Sequence, residues 1–273
     1  MNKKVPLHHS ILKFFIRSFC SIAKKNKDVK KYIFESVLKS ELAEYFENGY
    51  FQGYRHIEKG IEIARKFSPG GSYAVVDVGG ANGKTASIFH NSLPGQKVYV
   101  FEPIKSNFAT ISGLVTDFPR LIPVNKALGN ESGSTRINIA SRISSSSILE
   151  LKSDKNSSVF SEILDKVNDE EIIISRLDSE IPSDLEISIL KIDVQGYELE
   201  VLKGAELCLK RTSIVILELS NHGGYVGSPK YFEIDQKLRD SGFILFDLLP
   251  STMDNGRLVE WDTIYVNKKL LNN

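Results

Sequence analysis

Tyr73-Ala74-Val75-Val76-Asp77-Val78-Gly79-Gly80-Ala81-Asn82-Gly83 is a β-branched run that stops in a cluster of small residues, and its reading decides the fold. Tyr73 to Val78 predicts a buried strand. The residues after it permit positive φ and close backbone approach. Lys84 to Ser92 has helical composition, so the unit reads as strand, glycine-rich turn, helix, a corner that aims N–H groups at a nucleotide.

Three nucleotide motifs compete for this turn. A P-loop needs glycine where Val78 stands, although Lys84 and Thr85 match its end. A dinucleotide fingerprint counted from Gly79 needs glycines at Ala81 and Lys84, and neither is there. The Asp-x-Gly-x-x-x-Gly turn of S-adenosylmethionine (SAM) methyltransferases fits Asp77, Gly79 and Gly83 without a gap. Glu102, nineteen positions after Gly83 and closing the apolar run Val98 to Phe101, supplies the acid expected to hold two ribose hydroxyls. The bland alternative is an ordinary strand-to-helix turn with an incidental acid.

Around this unit the chain has 273 residues, 41% hydrophobic and 25% charged, as in soluble globular proteins of one domain or one domain with an appendage. A formal net charge of +1 gives no global attraction to nucleic acid or membrane. Cys20 and Cys208 match no metal-ligand spacing, so a reducing, cytoplasmic setting is expected. Residues 1–31 are locally basic, with Lys3, Lys4, Lys13, Arg17, Lys24, Lys25, Lys27, Lys30 and Lys31 against Asp28 alone. Phe14, Phe15, Phe19 and Ile22 add an apolar face, which suits either peripheral contact with an anionic membrane or packing on the main domain.

Apolar positions recur at helical spacing through Phe34, Leu38, Leu42 and Tyr45, and again through Ile57, Ile61 and Ala64. Gly49 to Tyr54 joins the two helices, and Ser68-Pro69-Gly70-Gly71-Ser72 reads as a linker. The expected division is therefore a helical extension at 1–72 and a catalytic domain at 73–273. Beyond Glu102, Pro103 stops the strand, Ile104 to Thr116 reads as a helix and Leu121 to Val124 as a third strand. Residues 132–175 look like an insertion, with strands at Thr135 to Ala140 and Ile172 to Ile174 and a serine run, Ser144 to Ser147, of the kind that usually forms a flexible loop. Ile187 to Ile192 is a strand ending at Asp193, followed by one helix with Leu199, Leu202, Ala205 and Leu209 on its face. Ser213 to Leu219 is a strand ending near Glu218, followed by a loop carrying His222; Phe232 to Leu238 is a helix, and Phe243 to Leu248 and Thr263 to Val266 are late strands. The alternation predicts an α/β fold with a mostly parallel sheet and helices on both faces. Ligands in such sheets bind beyond the carboxyl ends of the strands, where Asp77, Glu102, Asp193 and Glu218 all fall.

These residues resemble the FkbM family of SAM-dependent methyltransferases. The resemblance is carried by Val76 to Gly83, Val98 to Pro103, Asn125-Lys126-Ala127-Leu128-Gly129, the serine run, Leu177-Asp178 and, most specifically, Leu190-Lys191-Ile192-Asp193-Val194-Gln195-Gly196-Tyr197-Glu198 continuing through Val201 to Ala205. It implies a class I, Rossmann-like fold with a seven-stranded sheet whose final strand is antiparallel, and O-methylation of hydroxyls on sugars, glycans or secondary metabolites. Where the family commonly has Asp-Val-Gly-Ala-Asn this chain has Gly80 and Ala81, and where it commonly has Asp-Val-Glu-Gly this chain has Gln195. A neutral amide at 195 cannot be a general base.

The resulting expectations are specific. Asp77, Gly79, Gly80, Ala81, Asn82 and Gly83 take the methionine end of SAM, Glu102 with Pro103 the ribose, Lys126 and Ala127 the adenine, and Asp193 faces the methyl and the acceptor. His222 and Glu218 are further candidates for catalysis. A divalent metal on Asp193 with Glu218 or His222 is compatible with these residues, but strand-end carboxylates are too common to assert it. The rival functions are a P-loop-like ATP-binding enzyme and an inactive SAM-fold binding protein.

Overall fold

Apolar runs become the central strands because a strand buried on both faces needs no polar alternation. The computed structural model describes residues 54–68, 72–152, 165–221, 224–254 and 257–271. The expectations for residues 1–53, for the linker glycines and for His222 lie outside the described residues.

The strands in chain order are β1 (Tyr73–Val78), β2 (Lys97–Phe101), β3 (Leu121–Val124), β4 (Ala127–Leu128), β5 (Gly133–Ala140), β6 (Lys166–Ser175), β7 (Glu186–Ile192), β8 (Thr212–Ser220), β9 (Phe243–Asp254) and β10 (Arg257–Asn267). The helices are α1 (Arg55–Phe67), α2 (Lys84–Ser92), α3 (Lys105–Leu114), α4 (Leu177–Glu180), α5 (Glu198–Lys203), α6 (Glu206–Lys210) and α7 (Tyr231–Asp240). Seven strands form one sheet in the order β3-β2-β1-β7-β8-β10-β9. β10 runs antiparallel to both β8 and β9, and the other pairs are parallel. The order reverses between β1 and β7, which opens a crevice beyond their carboxyl ends.

Helices cover both faces. Val76, Val78, Leu190, Ile192, Val215 and Leu217 share a core with Leu202 and Leu209 of the helices after β7 and with Leu238 of α7. On the other face Ile189 and Ile216 meet α1, where a Cβ on Gly60 would lie 2.5 Å from Ile216 Cδ1. Helix α1 buries Ile57, Ile61, Ile63 and Ala64. The sequence division placed it with the N-terminal extension; it is instead part of the compact unit Arg55–Asn273. Among the described residues no helix is long and apolar enough to cross a membrane.

The helix expected after β7 is in fact two, α5 and α6, separated at Gly204. A Cβ there would sit 1.8 Å from the Gly129 carbonyl oxygen, so the chain is pressed against its neighbour at that point. The Asp178 carboxylate then accepts the Leu207 and Cys208 N–H groups and starts a new helix. The segment read as an insertion is a hairpin of β5 and β6, extended by β4 into a separate three-stranded sheet. Ile104, Ala127, Ile137, Ile172 and Ile174 make a second small core between this sheet and the crevice.

Candidate active site

A strand that ends in a tight turn must turn within a few residues, and here two glycines do it. Gly79 has φ 80° and Gly83 φ 76°. A Cβ on Gly79 would lie 1.9 Å from the Asp193 carbonyl oxygen, so the ends of β1 and β7 touch through backbone. The Gly79 and Gly80 N–H groups both donate to the Phe101 carbonyl, at 3.0 and 3.1 Å. These bonds tie the turn to the end of β2 and place Glu102 beneath it.

Glu102 is 4% exposed, and its two oxygens accept the Ala81 N–H at 2.8 Å and the Ile104 N–H at 2.9 Å. Burial pushes its carboxyl above the usual range, against the pull of those two N–H groups. Ala81 is held at φ 46°, a conformation that a non-glycine residue adopts at a cost. Glu102 therefore organises the turn as well as facing the crevice.

The crevice is a cleft open to solvent. Its walls include Gly79, Ala81, Glu102, Pro103, Asn107, Lys126, Ala127, Asp193, Val194, Gln195 and Tyr197, with Ile104, Leu128, Ile137 and Ile148 giving it an apolar side. Of the residues expected at a cofactor, Gly79, Ala81, Glu102, Pro103, Lys126, Ala127 and Asp193 converge here. Asp77, Gly80, Asn82 and Gly83 are not among its walls. Asp77 lies wholly buried behind the turn, where Lys191 Nζ neutralises it at 3.2 Å. Lys126 pairs with Glu180 at 2.7 Å, which fixes its ammonium at the cleft edge.

The serine run is ordered and belongs to the site. Ser144, Ser146 and Ser147 line the cleft, and Ser147 Oγ donates to the Gln195 carbonyl at 2.7 Å. Ser146 Oγ accepts the Ala140 N–H, and Asn138 Nδ2 reaches the Leu149 carbonyl at 3.1 Å, so the segment is sewn to β5.

Gln195 stands between this cleft and a second, smaller one, whose walls include Glu198, Glu218, Ser220, Tyr225, Ser228 and Glu260. Its amide nitrogen donates to Asp193 Oδ1 at 2.9 Å and approaches Glu218 Oε2 at 3.4 Å. Its amide oxygen lies 2.9 Å from the Tyr225 hydroxyl, which also sits 2.7 Å from the Ser145 carbonyl. The turn at 195–196 is pinned by the buried Glu198, whose carboxylate accepts the Val194 and Gly196 N–H groups at 3.2 and 3.0 Å. Burial raises the Glu218 carboxyl well above the usual range, and the charges of Asp193, Glu260 and Asp262 add to this.

The sequence reading missed Lys191, Glu198, Tyr225 and Glu260 as members of the site. The sequence signal for Lys191 was a lysine inside a run, Ile187 to Ile192, that is apolar apart from Ser188. Among the described residues no group of three or more His, Cys, Asp or Glu is placed to hold a metal ion.

Strand order, reversed strand, glycine turn and strand-end acid together define a class I methyltransferase fold. A family model described as the methyltransferase FkbM domain matches residues 77–245, more than half of the chain. The chain belongs to the FkbM methyltransferase family.

Among solved structures, the chain is similar to the methyltransferase FkbM from Methylobacillus flagellatus KT, with 17% identity, a TM-score of 0.47, and coverage of 72% of this chain and 44% of that one. The chain thus spans less than half the length of that protein. It is also similar to magnesium protoporphyrin IX methyltransferase from Synechocystis PCC 6803 with bound SAM, at 12% identity, TM-score 0.46, covering 89% and 96%. An rRNA methylase from Streptococcus thermophilus shares 13% identity, TM-score 0.44, over 78% and 96%. Comparison with curated proteins gives no match.

Proposed function

We propose that this chain is a SAM-dependent O-methyltransferase acting on a hydroxyl of a sugar, glycan or secondary metabolite. The observation that carries the reading is the convergence of the Gly79 turn, Glu102 and Asp193 on one cleft. The residues fit the cofactor: the Glu102 carboxylate lines the cleft as an acceptor for ribose hydroxyls, and Ile104, Leu128, Ile137 and Ile148 offer an apolar wall for a purine. When bound, SAM supplies an electrophilic methyl group.

The rest of the reaction falls to positioning. Holding an acceptor oxygen in line supplies about 7 to 11 kcal/mol of such a barrier, whereas a general base adds about 10²- to 10⁴-fold. The second cleft, reached past Gln195, is assigned to the acceptor. Asp193 orients the acceptor hydroxyl, and Glu218, whose carboxyl burial holds well above the usual range, takes the proton. His222 is a further candidate for the proton from its place after β8. Lys126 and Ala127 border the adenine, and Gly79 and Ala81 of the turn the methionine end. Residues 1–31 make peripheral contact with an anionic surface, while the catalytic domain works in the cytoplasm.

Calorimetry with SAM, S-adenosylhomocysteine and ATP tests the reading. Binding of the first two and not of ATP is expected. ATP binding tighter than SAM, lost in Lys84→Ala, supports the P-loop alternative instead.

A further inference from the structure

We propose that Lys191 is the positioning residue of the cofactor cleft, tying the Gly79 carbonyl to the Asp193 carboxylate. This rests on the reading that the cleft takes SAM. Asp77 and Lys191 are register partners on adjacent parallel strands. Residues two apart share a face, so Asp77 and Gly79 at the end of β1 stand opposite Lys191 and Asp193 at the end of β7. Lys191 Nζ lies at the centre of this square, 3.2 Å from Asp77 Oδ1, 3.3 Å from the Gly79 carbonyl and 3.5 Å from Asp193 Oδ2.

The ammonium donates a hydrogen bond to the Gly79 carbonyl and makes ion pairs with the Asp77 and Asp193 carboxylates. The Lys191 side chain is 9% exposed and is not a wall of the cleft, whereas Gly79 and Asp193 both are. Burial works against its charge, but the Asp77 and Asp193 carboxylates outweigh that and hold its pKa above the ordinary lysine range. Its cation therefore acts on the cofactor only through the two groups it holds. Asp193 is thereby fixed from both sides, one oxygen on Lys191 and the other on the Gln195 amide.

Removing Lys191 alone would strand a buried carboxylate, so the pair is removed together in Asp77→Asn with Lys191→Met. A second pair, Asp77→Asn with Lys191→Gln, keeps polar packing between the strands and carries the test if the first does not fold. SAM and S-adenosylhomocysteine are titrated by calorimetry into the full chain, into the paired variant, into Asp193→Asn, and into their combination, with folding followed by thermal melting.

The paired variant is expected to fold and to bind both compounds at least about 10-fold more weakly. In the combination the losses should not multiply, because Lys191 acts largely through Asp193. A folded paired variant with wild-type affinity, or losses that multiply fully, overturns the proposal while leaving the SAM reading intact. A wild-type chain that binds neither compound sinks the SAM reading itself, and this proposal with it.

Discussion

Gln195 holds Asp193 from the acceptor side: its amide nitrogen lies 2.9 Å from Asp193 Oδ1, and its backbone stands at φ 57° to reach there. In extended backbone, side chains two residues apart share a face but stand about 7 Å from each other, beyond hydrogen-bond reach. The left-handed turn, pinned by Glu198, folds the amide back over the strand end. A neutral amide between Asp193 and Glu218 also separates two carboxylates that would repel each other.

Asp193 should matter most to the chemistry. Asp193→Ala is expected to slow single-turnover methyl transfer at saturating SAM by about 10²- to 10³-fold. His222→Ala should cost less and Gln195→Ala least, all three remaining folded. An Asp193→Ala enzyme as fast as wild type would remove this carboxylate from the mechanism.

Glu102→Ala should weaken SAM binding roughly 10- to 150-fold, the worth of charge-assisted bonds of about 1.5 to 3 kcal/mol. Because the same carboxylate accepts the Ala81 and Ile104 N–H groups, the variant should also unfold at lower urea concentration. Affinity and urea midpoint, measured on one preparation, check both. A variant that loses neither would place Glu102 outside the site.

Gly79→Ala should destabilise the protein by about 2 to 5 kcal/mol. An alanine at φ 80° is strained, and its Cβ would press on the Asp193 carbonyl oxygen at 1.9 Å. Denaturant unfolding reads the loss, and a stability equal to wild type would contradict the contact between β1 and β7.

Stability should also carry a pH signature from Glu198. Burial pushes its carboxyl up to about 7 from 4.5, against the N–H groups of its own turn. The folded state then binds a proton that the unfolded chain has released, so this contribution is full below about pH 4.5 and lost as pH rises through about 7. Glu198→Gln should flatten the fall across that window. Urea midpoints at several pH values measure it, and parallel curves for variant and wild type would show that Glu198 does not titrate there.

The sequence by itself determined what depends on neighbours along the chain. Runs rich in apolar and β-branched residues marked β1, β7 and β8 because central strands of such a sheet are buried on both faces. Gly79, Gly83 and the acid at 102 were legible because turn geometry and strand ends are local properties. The division of α5 from α6 was not, since Gly204 breaks the helix against Gly129, which lies in another part of the chain. Nor was the order of the serine run, whose Ser147 reaches Gln195, or the place of Tyr225 beside Ser145. Lys191 shows the limit most clearly. Its composition signal said only that a charge was buried, while its role follows from the pairing of β1 with β7, strands more than a hundred residues apart in sequence. Periodicity reports which face is buried and says nothing of which strand lies alongside, so the tertiary structure alone decided which side chains converge.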